Sequence, residues 1–200
     1  MIKTVIFDLG GVIVPLDFKR GYASMEPLCG YSAAEIPRRL RQTDLVTRYE
    51  TGAIESPAFV AQLSELLGLK VSYSEFCELW SSIFLPETLI QEPLLERIRE
   101  RHRLLLLSNT NDLHFSMIER TYPILRLFDD RVLSYKVGAS KPTPRIYEEA
   151  IMRAGCRPEE CLFIDDVPAF VEGARKAGID AVQFESQEQV ERELLARGVL

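Results

Sequence analysis

The sequence predicts an α/β fold, a Rossmann-like doubly wound parallel sheet with an α-helical insert after its first strand. Five short apolar runs alternate with helical patterns along most of the chain, which is the order of elements in a doubly wound sheet. Several of these runs are continuously apolar, as expected for strands that are buried on both faces. Residues 16 to about 90 interrupt the alternation, because apolar residues there recur at helical spacing and no strand is evident.

The apolar runs give five predicted strands, each bounded by polar or turn-forming residues. They are Thr4 to Phe7, Leu104 to Leu107, Arg131 to Ser134, Cys161 to Ile164 and Ala181 to Phe184. Glycine commonly follows the last residue of a helix. The clearest predicted helices are therefore Pro144 to Ala154, Ala169 to Ala177, and a final helix from Ser186 toward Leu195.

The interruption in the pattern divides the chain into two predicted parts. Residues 1–15 and 91–200 form the sheet-containing core, and residues 16–90 form a helical cap inserted after the first strand. The cap presents polar residues that could reach a ligand at the sheet, namely Asp17, Arg20 and the stretch from Arg48 to Gly52. The basic cluster Arg38, Arg39 and Arg41 is interpreted as a solvated helix face, and His114 as a helix residue that packs beside the second strand's loop.

Composition restricts the class of partner. The 200 residues are 46% hydrophobic and carry a formal net charge of -6, which disfavours nucleic acid and anionic membrane surfaces as partners. No apolar run approaches the ~20 residues of a membrane span, and the first residues do not have the pattern of a signal peptide. The four cysteines lack C-x-x-C spacing, so we expect reduced thiols in a cytoplasmic protein.

Polar residues follow four of the predicted strands. In an open parallel sheet, ligands bind at the carboxyl ends of the strands. These ends carry, in chain order, Asp8, the pair Ser108 and Asn109, Lys141 after a loop, and the acidic pair Asp165 and Asp166. Adjacent carboxylates repel one another unless a cation lies between them. A carboxylate attacking a phosphate monoester also needs a cation, for which Mg²⁺ with oxygen ligands is suitable.

Four stretches in this order resemble a known family. FDLGGV, LLLLSNTN, GASKP and LFIDD are similar to the four ordered motifs of the haloacid dehalogenase (HAD) superfamily, and a helical insert after the first motif resembles its first cap type. The stretches PLDF, YETGAIES, SNTNDLH and KPTPRIY look like the α-D-glucose-1-phosphate phosphatase group within that superfamily. The resemblance covers essentially the whole chain.

The resemblance implies a metal-assisted site. Asp8 is then the nucleophile that forms an aspartyl-phosphate, and one of its oxygens also binds Mg²⁺. The backbone carbonyl of Gly10 is a further metal ligand, and Asp165 and Asp166 complete the shell, one directly and the other directly or through water. The sequence leaves open which of the two binds the ion.

The same resemblance assigns the phosphate contacts. Lys141 interacts with Asp8 and with the phosphate oxygens as a point charge. Ser108 and the Asn109 amide bind the phosphate.

Gly10 is the main departure from the family pattern. Most phosphatases of the superfamily have an aspartate at this position, two residues after the nucleophile, where it protonates the leaving oxygen and activates water. Glycine has no proton to give. A sugar 1-phosphate, whose leaving oxygen needs less help, would tolerate this loss, and water, the substrate or a cap residue such as Asp17 could instead supply the proton.

The leading hypothesis is a Mg²⁺-dependent phosphomonoesterase that acts on small phosphorylated metabolites, sugar phosphates in particular, as a monomer or homodimer. The main alternative is a phosphate-binding or regulatory protein that has little or no turnover because it lacks the acid. A 2-haloacid dehalogenase ranks lower, since that reaction needs no metal and would leave Asp165 and Asp166 without a cation. A phosphosugar mutase is disfavoured because it depends on the proton transfer that Gly10 cannot perform.

Overall fold

A computed structural model describes all residues 1–200 and contains one sheet of five parallel strands. The strands are β1 (Thr4–Phe7), β2 (Arg103–Ser108), β3 (Asp130–Leu133), β4 (Cys161–Asp165) and β5 (Asp180–Gln183). Their order in the sheet is β3-β2-β1-β4-β5. The chain therefore winds outward from β1 in both directions, and the switch between the two directions lies between β1 and β4. The predicted fold class is confirmed.

Eleven α-helices surround or extend this sheet. They are α1 (Phe18–Met25), α2 (Ile36–Arg41), α3 (Leu45–Glu50), α4 (Ser56–Leu67), α5 (Tyr73–Ser81), α6 (Glu92–Arg99), α7 (Asp112–Thr121), α8 (Ser134–Val137), α9 (Pro144–Ala154), α10 (Pro168–Lys176) and α11 (Gln187–Ala196). No helix here combines the length and the apolar character needed to cross a membrane.

The predicted element bounds are correct to within one residue at most ends. Helix α9 has the predicted bounds, and Gly155 after it has a φ of 67°. Helix α10 begins one residue early at Pro168, because proline is well suited to the first turn of a helix. Ser134 was predicted to end β3 but begins α8, since its hydroxyl exchanges hydrogen bonds with the backbone N–H and carbonyl of Thr110.

The sheet is buried on both faces, as its continuous apolar runs predicted. Neighbouring residues of β2 alternate between two hydrophobic clusters: Leu104 and Leu106 face one, and Leu105 and Leu107 face the other. Burial of successive leucines on opposite faces requires a layer of helices on each side of the sheet. Burial on both faces fixes the register of the strands, and the strands in turn fix the positions of the loops at their carboxyl ends.

Helices α1–α5 form a layer with a hydrophobic cluster of its own. Its largest buried side chains include Tyr49, Phe59, Phe76 and Trp80, and the Tyr49 and Phe59 rings stack with centroids 4.0 Å apart. All five helices lie in the segment between β1 and α6. The boundaries at residues 16 and 90 between a cap and a core stay a prediction.

Candidate active site

The carboxyl ends of β1 and β4 bring two acidic residues side by side. Phe7 and Ile164 are register partners in the parallel pair β1–β4, and Asp8 N–H donates to the carbonyl of Ile164 at 2.9 Å. Asp8 follows Phe7 directly, and Asp165 is the last residue of β4. Both carboxylates are buried and lie at the switch point of the sheet, where ligands of doubly wound folds bind.

Lys141 reaches both carboxylates from the loop before α9. Its Nζ lies 2.8 Å from Oδ1 of Asp8 and 2.5 Å from Oδ2 of Asp165. The same ammonium donates to the carbonyl of Leu107 at 3.2 Å. All three donors of the ammonium are thus used, and the side chain has no exposed surface. One positive charge therefore faces two buried negative charges.

These charges shift one another's pKa values. Burial raises the pKa of Asp8 to about 7; the Asp165 charge adds to the increase, while Lys141 opposes it. Burial by itself would lower the pKa of Lys141, but Asp8 and Asp165 outweigh that effect, and the pKa of the lysine is raised. Lys141 consequently stays charged at neutral pH, and the two carboxylates attract a second cation.

Asp166 supplies a third carboxylate with an unpaired oxygen. Oxygen atoms of Asp8, Asp165 and Asp166 lie within 4.8 Å of one another. Oδ1 of Asp166 is buried without a hydrogen-bond partner, and burial, followed by the charge of Asp165, raises the pKa of this carboxyl. Oδ1 of Asp165, in contrast, accepts from the N–H of Val167 at 2.8 Å. A buried, unsatisfied carboxylate oxygen beside two others fits a hard divalent cation such as Mg²⁺.

Two glycines shape the same site. Gly11 has a φ of 85°, and a Cβ there would lie 2.6 Å from Oδ2 of Asp166, so a side chain at this position would push against the acidic cluster. A Cβ on Gly10 would lie 2.9 Å from Cδ1 of Leu16. The space beside Gly10 is therefore filled by Leu16, and the carbonyl oxygen of Gly10 accepts no backbone hydrogen bond.

The residues after β2 border the site and position the lysine. Oδ1 of Asn109 accepts from the backbone N–H of Lys141 at 2.8 Å, and its Nδ2 donates to the carbonyl of Lys141 at 3.0 Å. Sequence analysis predicted a phosphate contact for Asn109 and missed this cross-link. Ser108 is buried, and its hydroxyl has only a long 3.4 Å contact with the Asn109 carbonyl. Its donor capacity is thus largely unused.

A cavity of about 480 Å³ lies between the helical layer and these loops. Gly10, Ser108, Asn109 and Thr110 border it on the sheet side. The opposite wall is mainly apolar and includes Leu16, Tyr22, Met25, Leu40, Val46 and Ile83. Its charged lining residues are Arg41 and Glu50, and neither forms an ion pair in the structure.

The cap residues suggested by the sequence are placed differently from one another. Glu50, from the stretch between Arg48 and Gly52, lines the cavity. The other two candidates, Asp17 and Arg20, do not line it. Oδ1 of Asp17 accepts from the N–H of Arg20 at 3.0 Å and caps α1. Arg41, interpreted as part of a solvated face, lines the cavity; only the packing of α2 against its neighbours reveals this.

His114 packs in the cavity wall as a neutral side chain. Its Nε2 lies 2.9 Å from the carbonyl of Trp80, which can only accept, so Nε2 carries the proton. Nδ1 then accepts from Nδ2 of Asn111 at 3.1 Å. Burial lowers the pKa of His114 to about 4. The residue is structural, in agreement with the sequence-based interpretation.

A family comparison decides the classification. Residues 2–178 match the family model of the haloacid dehalogenase-like hydrolases. This chain belongs to the haloacid dehalogenase-like hydrolase family. It is therefore a hydrolase. Curated relatives of this chain include phosphatases. One is D-ribitol-5-phosphate phosphatase of Bacteroides thetaiotaomicron, 28% identical over 200 residues, with 97% of each chain covered.

Solved structures support the same family. A HAD family enzyme of Bacteroides thetaiotaomicron, solved in complex with magnesium and inorganic phosphate, superposes with a TM-score of 0.85 at 28% identity, covering 93% of this chain and 96% of that one. A HAD-like hydrolase of Porphyromonas gingivalis gives a TM-score of 0.82 at 29% identity, with 97% and 98% covered.

Proposed function

We propose that this HAD-like hydrolase is a Mg²⁺-dependent phosphomonoesterase for small phosphorylated metabolites. The observation that carries the proposal is the convergence of Asp8, Lys141 and the acidic pair Asp165 and Asp166 at the switch point, with one buried oxygen of Asp166 unpaired. A relative solved with magnesium and inorganic phosphate supports this reading.

The residues present fit a magnesium ion. The ligands would be carboxylate oxygens of Asp8 and Asp166 and the carbonyl oxygen of Gly10, which accepts no backbone hydrogen bond. Asp165 would not bind the ion directly, because its two carboxylate oxygens already accept hydrogen bonds from Lys141 and Val167. When bound, the ion offsets the repulsion between the anionic nucleophile and the phosphate.

The chain's own groups perform the transfer. A carboxylate oxygen of Asp8 attacks phosphorus, the bond to the ester oxygen breaks, and an aspartyl-phosphate forms; water then cleaves it and returns the free carboxylate. Lys141 stabilises the negative charge around Asp8 throughout. The hydroxyl of Ser108 and the backbone N–H of Asn109, which donates to no backbone group, bind the phosphate oxygens.

The substrates to test first are phosphates of sugars and sugar alcohols. The resemblance to glucose-1-phosphate phosphatases and the similarity to a D-ribitol-5-phosphate phosphatase both favour this class, and a cavity of about 480 Å³ has room for such a molecule. We also propose a cytoplasmic monomer or homodimer, in keeping with four cysteines that form no disulfide.

The test is phosphate release from a panel containing glucose 1-phosphate, ribitol 5-phosphate and p-nitrophenyl phosphate. We expect turnover with Mg²⁺, none in chelator, and a loss on the order of 10⁴-fold or more in Asp8→Asn. Asp44→Asn is the matched control, because Asp44 is exposed and does not line the cavity. Turnover that persists in chelator, or in Asp8→Asn, contradicts the proposal.

A phosphate-binding protein without turnover is the second candidate. The glycine at position 10, with Leu16 in the space beside it, favours this alternative because the usual acid is missing. It predicts binding of phosphate esters by calorimetry in the presence of Mg²⁺ and no release of phosphate from any of them. A 2-haloacid dehalogenase remains less favoured, since the paired acids would then have no cation to bind.

A further inference from the structure

The proposed reaction lacks a proton donor at its usual position. An alkoxide leaving group needs a proton as the ester bond breaks. Gly10 has no side chain, and Leu16 fills the adjacent space. Provided that the proposed phosphatase function is correct, the proton comes from water, from the substrate or from another side chain that borders the cavity, and the structure identifies one such side chain.

Most titratable groups near the cavity are unsuited to this task. Both ring nitrogens of His114 are engaged, and its only ring proton is directed at the Trp80 carbonyl. Burial raises the pKa of the Tyr22 phenol above its usual range, so it is a poor acid near neutrality. The carboxylate of Asp17 caps α1, and Lys141 donates to Asp8, Asp165 and Leu107.

Glu50 differs from all of these. It is the last residue of α3 and the only carboxylate among the residues that line the cavity. Its side chain forms no ion pair, accepts no hydrogen bond and is only partly accessible to solvent. A carboxyl group without partners in a mainly apolar wall is free to interact with a bound ligand.

The fold holds the end of α3 against the core. Gly52, with a φ of 68°, passes so close to the backbone carbonyl of Tyr135 in α8 that a Cβ there would overlap it. A Cβ on Gly138 would in turn lie 4.0 Å from the carbonyl of Thr51. Since α8 leads into the loop that carries Lys141, the residues just after Glu50 are positioned directly by the catalytic core.

The electrostatic surroundings of Glu50 favour a bound proton. Burial raises the pKa of this carboxyl to about 7. The titratable or charged groups that border the cavity from other helices are Tyr22, Arg41 and His114, and α8, which packs against α3, adds Tyr135 and Lys136. None of them forms an ion pair with Glu50, so a substantial fraction of the carboxyl is protonated at neutral pH.

We propose that Glu50 is the general acid and base of this phosphatase, in place of the aspartate that position 10 lacks. As the bond between phosphorus and the ester oxygen breaks, the carboxyl proton moves to that oxygen and the alcohol leaves. The resulting carboxylate then takes a proton from the water that attacks the aspartyl-phosphate. Phosphate is released, and the carboxyl of Glu50 regains its proton, so the cycle is balanced.

The test compares two esters with different needs for the proton. A ribitol 5-phosphate leaving group is a poor one and depends on protonation, whereas p-nitrophenolate leaves without it. Because kcat/KM reports the steps up to formation of the aspartyl-phosphate, in Glu50→Gln we expect kcat/KM on ribitol 5-phosphate to fall by roughly 10² to 10⁴-fold, with less than about a threefold change in kcat/KM on p-nitrophenyl phosphate. The exposed residue Glu65 on α4 gives the matched control, Glu65→Gln, which should behave as wild type on both esters.

A pH profile provides an independent readout. Because the acid must be protonated, wild-type kcat/KM on ribitol 5-phosphate should fall as the pH rises through about 7, and this fall should be absent in Glu50→Gln. Equal losses in kcat/KM on both esters, an increase in KM alone, or an unchanged variant would each overturn the role of Glu50 while leaving the phosphatase intact. If the wild type releases phosphate from neither ester, the proposed function itself fails and this inference fails with it.

Discussion

The polar cluster at the carboxyl ends of the strands, here called the sheet side, and the helical wall of the cavity, here called the helical side, are built on different principles. On the sheet side, the side chains of Lys141 and Asp165 are fully buried and do not line the cavity, and each polar atom of Lys141 is bonded to a neighbour. On the helical side, the wall is mainly apolar, and its two charged residues, Arg41 and Glu50, have no ion-pair partner. The sheet side thus pairs one lysine with two buried carboxylates and keeps an excess of negative charge for a cation, whereas the charges of the helical side have no partner within the protein.

Removing the lysine should have the largest effect, because Lys141 is the only cation paired with the buried carboxylates of the sheet side. Lys141→Met leaves two buried carboxylates without their counter-ion. We expect the free energy of unfolding to fall by about 3–5 kcal/mol and phosphatase activity to disappear. Part of the stability should return with Mg²⁺, because the ion replaces the lost positive charge. Urea unfolding with and without Mg²⁺ measures both effects.

Lys136→Met is the control for this experiment, since Lys136 is exposed on α8. It should change the free energy of unfolding by less than about 0.5 kcal/mol. If Lys141→Met were as stable as Lys136→Met, the contrast between the sheet side and the helical side would be wrong.

The apolar wall depends on a neutral His114. Its folded-state pKa, about 4, lies below the usual 6.5, so the unfolded chain binds a proton first as the pH falls. The stabilisation is complete above pH 6.5 and is lost between pH 6.5 and about 4, to the extent of about 3 kcal/mol. Between pH 6.5 and about 4, the unfolding free energy of the wild type should therefore fall by about 3 kcal/mol more than that of His114→Phe. A constant difference from pH 7 to pH 4 would contradict the assignment.

Gly11 lies beside the proposed Mg²⁺ site on the sheet side. Gly11→Ala places a methyl group against the carboxylate of Asp166, so we expect Mg²⁺ affinity by calorimetry to fall roughly 10- to 100-fold. Gly155→Ala is a close control, because Gly155 also has a positive φ and an added methyl group there would have no atom within 4 Å. Both variants should lose about 1–2 kcal/mol of stability from backbone strain. Equal Mg²⁺ affinities would show that Asp166 does not bind the ion.

The smallest expected effect is on the helical side. Arg41 lines the cavity but is exposed, so solvent screens its charge. Arg41→Gln should raise KM for sugar phosphates by less than about fivefold and leave kcat unchanged. Arg38→Gln is the control, since Arg38 is exposed and does not line the cavity. A tenfold or larger loss in kcat would mean that this wall takes part in the chemistry as well as in binding.

Sequence analysis predicted the sheet side well, for a physical reason. Buried parallel strands are continuous apolar runs, and the carboxyl ends of parallel strands meet at one edge of the sheet. Asp8, Ser108, Lys141 and Asp165 could therefore be brought together from the order of the strands alone. Their roles in catalysis and metal binding stay proposals, to be tested by the variants above.

The helical side was much less predictable. Arg41 and Arg38 belong to one basic cluster in the sequence, and only the packing of α2 directs one of them to the cavity. The sequence allowed Asp17 as a proton donor, but in the structure its carboxylate caps the N-terminus of α1. The cross-link from Asn109 to Lys141 joins residues 32 positions apart, and no local pattern encodes such a bond. Long-range contacts of this kind need the tertiary fold.

The first turn of α7 connects the helical layer with the residues that are proposed to bind phosphate. Three consecutive residues of this turn bond to the helical layer: Asp112 accepts from Ser56 at 3.1 Å, Leu113 N–H donates to the Tyr49 hydroxyl at 3.1 Å, and His114 donates to Trp80 at 2.9 Å. The same turn closely follows Ser108, the last residue of β2, and Asn109. Any rotation of the helical layer that opens the cavity must either break these bonds or move Ser108 and Asn109, so opening of the cavity is mechanically linked to the position of the proposed phosphate contacts.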